Sequence, residues 1–137
     1  QASEIRSSLA MARVEAIRRG IIVVVCPGRT VCGGEWDEGW NSFVDTTTGR
    51  RGVFDADDIR LEIHARLDGG STLTKKGIKN VIFRSDGTAT NSLRLVDRNA
   101  LILCTADNNP RHRRAIQVNA VGRVRVCGPP DCDVPCG

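Results

Sequence analysis

The sequence predicts an α+β fold, in which an N-terminal helix packs on antiparallel β-sheet. From Glu4 to Arg19 the apolar residues recur at the 3.6-residue period of an α-helix. About six to eight short stretches with the alternation or β-branched composition of strands follow, separated by tight turns. The chain has 137 residues, enough for one domain with a modest core. We expect a single domain over residues 1–137, with a helix at 4–20, a β-rich head at 21–127 and an irregular tail at 128–137.

The predicted helix has one apolar face. Ser3 stands where an N-cap is expected, and Gly20 ends the helix. Because only one face is apolar, we expect the helix to lie across a sheet. The residues of that face are Ile5, Leu9, Ala12 and Ala16.

The head begins with its most apolar strand. The β-branched run from Ile21 to Cys26 is typical of a strand buried on both faces. Residues 59–67 alternate between apolar and polar, which predicts a half-exposed strand with His64 on its solvent side. Trp36 and Trp40 are interpreted as core anchors of a hairpin. Further strands are expected at 42–47, 80–84, 93–96 and 100–105.

The last predicted strand, Arg114 to Val126, is the strongest candidate for a binding surface. Positions 116, 118, 120, 124 and 126 are apolar and positions 117, 119, 123 and 125 are polar, with Val121 the exception, so Arg123 and Arg125 should lie about 6.6 Å apart on one exposed face. Gly122 would leave the backbone beside them uncovered and able to bend or bulge. That spacing suits contacts with adjacent phosphates of a nucleic acid. The alternative is that the two arginines only keep an exposed strand soluble.

Positive charge is concentrated around this strand. The net charge of the chain is +4, whereas residues 75–126 contain 11 Lys or Arg against 3 Asp or Glu, a balance of +8. Such a polarised segment indicates a polyanionic partner: nucleic acid, acidic glycan or anionic lipid. Besides the two arginines above, the candidate contacts are Lys75, Lys76, Lys79, Arg111, Arg113 and Arg114.

Six cysteines in a short chain indicate an oxidising compartment and a disulfide framework. No two of them have C-x2-C spacing and the two histidines are far apart, so a structural zinc site is not expected. The pairing that we expect is Cys26 with Cys32, Cys104 with Cys127, and Cys132 with Cys136. The last of these would tether the tail.

The sequence shows neither a signal peptide nor a membrane span, because its longest apolar run, Ile21 to Cys26, is far too short. Since the cysteines imply export, we expect an export segment N-terminal to residue 1.

An enzyme is not expected. The sequence contains no GxSxG, no HExxH and no Gly-rich phosphate loop. The acidic cluster Asp55, Asp57 and Asp58 lacks the glycine and terminal glutamate of a calcium loop and is interpreted as a solvated turn. No catalytic residue, metal or cofactor is predicted.

Several of these segments together resemble the GspH/FimT family of type II pseudopilins and minor type IV pilins. The usual pattern of that family is an A-R-x-E-A-I helix, a strand with cysteine and a W-x-x-G-W-x-x-F hairpin. The resemblance implies a pilin-like head preceded by a leader and a membrane-spanning helix, with other pilin subunits and the inner membrane as partners. It also implies that the protein is located in the inner membrane before assembly, and in the periplasm or an extracellular pilus after assembly. The matching residues are Leu9 to Arg19 (LAMARVEAIRR), Cys26, Cys32, Trp36, Gly39, Trp40 and Phe43.

FimT-like minor pilins of natural transformation carry a C-terminal G-R-x-R motif that contacts DNA, which here reads Gly122-Arg123-Val124-Arg125. The resemblance therefore implies sequence-independent DNA binding during uptake by a type IV pilus. Two alternatives stay open. One is a structural minor pilin or pseudopilin that primes pilus or type II secretion filament assembly without touching DNA. The other is a secreted module that binds anionic glycans or lipid headgroups.

Overall fold

A computed structural model of the protein describes residues 1–30, 32–46, 54, 58–74, 80–90 and 100–136. In it a helix packs against two antiparallel sheets, which confirms the predicted α+β class. None of the described helices is long and apolar enough to cross a membrane. The strand predicted at 93–96 lies outside the described residues.

Helix α1 spans Ala2–Arg19 and presents the predicted apolar face to the sheets. It begins earlier than expected, so Ser3 lies inside the first turn and Gln1 occupies the N-cap position without a side-chain cap. Gly20 ends the helix in the left-handed conformation, with φ of 65°. Ser8 is the one polar residue on the buried face.

The first sheet has the order β3-β2-β1-β5-β6, and the second has the order β4-β7-β8-β9. All the neighbouring strands of both sheets are antiparallel. Short 3-10 helices span Trp36–Glu38 and Pro110–His112. The strands are β1 (Val23–Pro27), β2 (Trp40–Val44), β3 (Ile59–His64), β4 (Thr72–Thr74), β5 (Val81–Phe83), β6 (Ala89–Thr90), β7 (Leu101–Cys104), β8 (Arg114–Val118) and β9 (Val124–Cys127).

The main core lies between α1 and the two sheets. Strand β1 is buried along its whole length, as predicted, because its residues alternate between this core and a second cluster behind the sheet. Trp36 and Trp40 are both buried, which confirms that they are core anchors. The indole Nε1 of Trp40 donates a hydrogen bond to the hydroxyl of Ser8 over 2.9 Å, and that hydroxyl donates to Glu62.

Strand β3 differs from its predicted orientation. The pairing with β2 shifts between Ser42 and Phe43, and such a bulge moves the residues on one side of it to the opposite face. Ile63 is consequently 51% exposed. His64, predicted to face solvent, instead stacks on Trp40 with the ring centroids 4.0 Å apart.

The disulfide between Cys26 and Cys32 is confirmed, and the other two predicted pairs are wrong. Strand β8 separates β7 from β9, so Cys104 and Cys127 lie on strands two positions apart, about 9.6 Å, which exceeds the reach of a disulfide. Instead Cys104 bonds to Cys136, and Cys127 bonds to Cys132. Both bonds hold the tail against the outer face of the second sheet.

Candidate nucleic-acid interface

The segment predicted as one arginine strand is a β-hairpin. Strands β8 and β9 pair with each other, and Asn119 closes the turn between them. The backbone N–H of Asn119 donates to the Arg123 carbonyl over 3.1 Å, and the Asn119 side-chain oxygen accepts from the Arg123 N–H over 2.9 Å. The single-strand prediction is wrong at the point where the alternation already fails: Val121 lies at the hairpin tip and is 58% exposed.

From Arg123 through β9 the predicted alternation does hold. Val124 and Val126 pack against the main core, whereas Arg123 and Arg125 are exposed. The two arginines are therefore on the same side of the chain, with Arg125 paired across the hairpin to Gln117. A pair of exposed guanidinium groups at this spacing can donate hydrogen bonds to successive phosphates.

Gly122 is buried, so the prediction that it leaves uncovered backbone is wrong. Its φ is +88°, and a Cβ built on it would lie 1.8 Å from the carbonyl oxygen of Gly87. The hairpin tip therefore rests directly on the turn between β5 and β6. Gly122 shapes the site by permitting that approach, because any side chain would hold the two turns apart.

Three further hydrogen bonds fix the tip from behind. The backbone N–H of Ala89 donates to the Ala120 carbonyl over 3.0 Å. The guanidinium of Arg13, on α1, donates from Nε to the Gly87 carbonyl over 3.0 Å and from Nη2 to the Val121 carbonyl over 3.4 Å. The helix and both sheets thus meet at the base of the arginine pair.

A second basic group, Arg111, Arg113 and Arg114, lies at the opposite end of the hairpin, where β8 begins. Arg114 is three ladder positions from Gln117, the partner of Arg125, or about 10 Å along the strand. Its Nη1 donates to the carbonyls of Arg111 and Arg113 over 2.8 and 2.7 Å. The structure therefore brings Arg123 and Arg125 together but not with this second group. Lys75, Lys76 and Lys79 lie outside the described residues.

Within the second group, Arg111 is exposed, whereas Arg113 is engaged by the protein itself. The Arg113 guanidinium donates to the Val134 carbonyl over 3.4 Å and to the Asn108 side chain over 3.2 Å. It thereby joins the tail to the turn before β8, which limits its capacity to bind phosphate.

An acidic side chain organises the same turn. Asp107 accepts hydrogen bonds from the hydroxyl of Thr105, the backbone N–H of Asn109 and the ring of His112. The bond from Thr105, followed by that from Asn109, lowers the pKa of Asp107 to about 2. Asp107 is therefore ionised at neutral pH and reduces the local positive potential beside Arg111.

Sequence reasoning missed the residues that position the arginines, namely Arg13, Gly87 and Asn119. Arg13 is separated from its two acceptors by 74 and 108 residues, so local periodicity carries no information about these contacts. Among the described residues, no group of three or more His, Cys, Asp or Glu side chains could hold a metal ion.

A helix laid across two antiparallel sheets is the fold of minor pilins and minor pseudopilins. The type IV minor pilin FimU of Pseudomonas aeruginosa PAO1 shares 17% identity with this chain at a TM-score of 0.66, over 98% of this chain and 94% of FimU. The minor pseudopilin EpsH of the Vibrio cholerae Type 2 Secretion System shares 15% identity at a TM-score of 0.63, over 94% of each chain. No curated protein matches the chain significantly in sequence.

The family itself is defined by sequence. The family model described as "Type II transport protein GspH" matches residues 1–122. The chain therefore belongs to the GspH family. The match ends at Gly122, immediately before Arg123, so the family assignment does not depend on the arginine pair.

Proposed function

We propose that this chain is a minor pilin of a type IV pilus that binds DNA without sequence preference, for DNA uptake in natural transformation. The observation that carries the proposal is the pair Arg123 and Arg125, exposed on one side of a hairpin whose tip is anchored to the rest of the fold. Arginine suits this contact because its planar guanidinium is pre-organised and loses little side-chain freedom for each hydrogen bond that it forms with a phosphate.

The composition of the surface supports backbone contact rather than base recognition. The chain has no tyrosine. Base stacking needs exposed aromatic rings, and the Trp and Phe side chains of the described residues are buried or half-buried. These are Trp36, Trp40, Phe43, Phe54 and Phe83. Binding that rests on phosphates alone is sequence-independent, weakens steeply with salt and has dissociation constants of about 10⁻⁴–10⁻⁶ M.

The second basic group can extend the contact. Arg111 lies beyond the far end of β8, and Asn119, the partner of Arg123, lies five residues from Arg114, or about 17 Å. One strand of a duplex places about five phosphates along that distance. Several copies of the protein on a filament would add avidity to a weak single-domain contact.

The remaining parts of the proposal follow from the family. The chain acts as a structural, non-enzymatic subunit that assembles with other pilins in the bacterial cell envelope. It is held in the inner membrane by a helix preceding residue 1 before it joins the pilus. Assembly leaves the β-rich head, which carries the arginines, on the outside.

The proposal is tested by the salt dependence of binding in single variants. The affinity for a random-sequence duplex should be measured by fluorescence anisotropy over a range of salt concentrations. Each of Arg123→Gln and Arg125→Gln should reduce the slope of log K against log salt by about 0.9, the contribution of one phosphate contact. Arg6→Gln, at an exposed arginine on α1, is the matched control and should leave the slope unchanged. Unchanged slopes in all three variants would contradict phosphate contact by the pair.

The second candidate is a structural minor pilin or pseudopilin that primes filament assembly without binding DNA. The family match favours it, because its description is a type II transport protein and its range excludes both arginines. On this alternative the wild-type protein does not bind duplex DNA even at low salt. A third outcome, retention on heparin at salt concentrations that release duplex DNA, would indicate an anionic glycan as the partner.

A further inference from the structure

We propose that Arg13 is a positioning residue for Arg123 and Arg125: its guanidinium locks the hairpin tip onto the body of the fold, so that the pair is presented in a fixed orientation. This inference rests on the proposed DNA binding.

The guanidinium of Arg13 joins two turns that belong to different sheets. One acceptor, the Gly87 carbonyl, lies in the turn between β5 and β6 of the first sheet. The other, the Val121 carbonyl, lies at the tip of the β8–β9 hairpin of the second sheet. Since Arg13 itself is on α1, a single side chain connects all three layers of the fold.

The same contact encloses Gly122. A Cβ on Gly122 would meet the Gly87 carbonyl at 1.8 Å and Arg13 Nε at 2.8 Å, so the three groups are in mutual van der Waals contact. Arg123 follows Gly122 directly. A change in the position of Gly122 therefore changes the direction in which the Arg123 side chain leaves the backbone.

The tip depends on Arg13 because few other bonds join it to the first sheet. Among the described residues, the backbone bond from Ala89 to Ala120 makes the same connection. The bonds of Asn119 lie within the hairpin and close the turn without attaching it to the body. Without the Arg13 fork, the hairpin would keep its shape, and its tip would be joined to the first sheet by one backbone hydrogen bond and by the packing of Gly122 on Gly87.

Arg13 acts through geometry rather than through its charge. It is half-buried and directs two N–H groups at backbone carbonyls, so these donors are not available to phosphate. Lysine carries the same charge, but its ammonium is a point donor at the end of a flexible chain and does not reproduce a planar fork. Arg13→Lys therefore separates the two roles.

The experiment compares Arg13→Lys, Arg13→Gln and Arg6→Gln with the wild-type protein in two measurements. The first is the affinity for random-sequence duplex DNA at low salt. The second is backbone amide hydrogen exchange without DNA at Ala89, whose N–H joins the first sheet to the tip, with Gly122 and Arg123, whose N–H groups bond to Asn119 within the hairpin, as internal controls. We expect both Arg13 variants to lose affinity by roughly three- to tenfold, the equivalent of one hydrogen bond, and to exchange the Ala89 amide faster while the two control amides stay unchanged. Arg6→Gln should change neither quantity, although it removes a charge from the same helix.

Three results would overturn the inference. Wild-type affinity in Arg13→Lys would show that charge alone matters at this position. Wild-type exchange of the Ala89 amide in both Arg13 variants would show that the fork does not hold the tip. Absence of DNA binding by the wild-type protein would refute the proposed function and this inference together, and the exchange data would then report whether the anchor exists. Should Arg13→Gln fail to fold, Arg13→Lys carries the test, since it retains the charge and most of the aliphatic stem.

Discussion

Gly122 packs so closely on Gly87 that a Cβ at position 122 would overlap the Gly87 carbonyl oxygen, at a distance of 1.8 Å. This contact joins the two sheets at the tip of the β8–β9 hairpin, directly before Arg123. The position of the arginine pair is thus set by contacts around Gly122, namely this backbone packing and the Arg13 hydrogen bonds, rather than by the pair itself.

Replacing Gly122 with alanine should be strongly destabilising. The backbone at φ +88° disfavours any Cβ by about 1–2 kcal/mol, and displacement of the neighbouring turn adds about 1–3 kcal/mol. Urea denaturation should therefore show a loss of at least about 2 kcal/mol in the free energy of unfolding. Gly69→Ala is the matched control, because Gly69 has φ of +70° but no atom within 4 Å of its Cβ position. Equal losses in the two variants would argue against the close contact.

Ser8→Ala should destabilise the core. The substitution removes the acceptor of the Trp40 indole N–H, and Trp40 is fully buried, so the donor would be left unsatisfied. We expect a loss of about 1–3 kcal/mol in the free energy of unfolding, measured by urea denaturation followed by tryptophan fluorescence. Ser7→Ala, at the exposed neighbouring position of the same helix, should have little effect. Similar effects of the two substitutions would mean that the hydrogen bond to Trp40 contributes nothing.

The disulfide pairing can be read by mass spectrometry of the unreduced protein. Cleavage after arginine and before aspartate separates the last three cysteines of the chain, Cys127, Cys132 and Cys136, because Asp131 and Asp133 lie between them. The peptide with Cys104 should be linked to the one with Cys136, and the peptide with Cys127 to the one with Cys132. A linked pair of Cys104 and Cys127 would contradict the strand order of the second sheet.

Asp107 should titrate well below an ordinary aspartate. Its pKa is lowered from 3.8 to about 2, so the stability that its ionised form contributes is complete above pH 3.8 and is lost as the pH falls through about 2. An NMR titration of the carboxyl carbon should give that midpoint. Thr105→Val removes the hydrogen bond that lowers the pKa of Asp107 most, so it should raise the midpoint towards 3.8. The same midpoint in the variant and the wild-type protein would show that the Thr105 hydroxyl is not responsible.

The sequence was most informative where burial follows a local period. The apolar face of α1, the doubly buried β1 and the anchoring role of Trp36 and Trp40 were all predictable, since each depends on residue type and spacing along one element. The orientation of β3 was not, because a single bulge reverses the faces of a strand without any change in composition.

At the candidate site, too, only the features that follow a local pattern could be predicted from the sequence. The exposure of Arg123 and Arg125 followed from alternation with Val124, whereas the hairpin turn did not, although the exception at Val121 marked its position. The contacts of Arg13 could not be predicted, because its acceptors lie 74 and 108 residues away and both are backbone carbonyls, which have no signature in sequence.

The most direct test is a titration of labelled random-sequence duplex DNA with the wild-type protein and the Arg123→Gln/Arg125→Gln double variant, at low and at physiological salt. Arg6→Gln/Arg66→Gln has the same net charge as that variant and changes two exposed arginines elsewhere, so it controls for charge alone. We predict wild-type dissociation constants of about 10⁻⁴–10⁻⁶ M that weaken with salt, binding abolished in the Arg123/Arg125 variant with an unchanged circular dichroism spectrum, and binding retained in the control. Intact binding in the Arg123/Arg125 variant, or no binding by the wild-type protein at low salt, would contradict DNA capture by this hairpin.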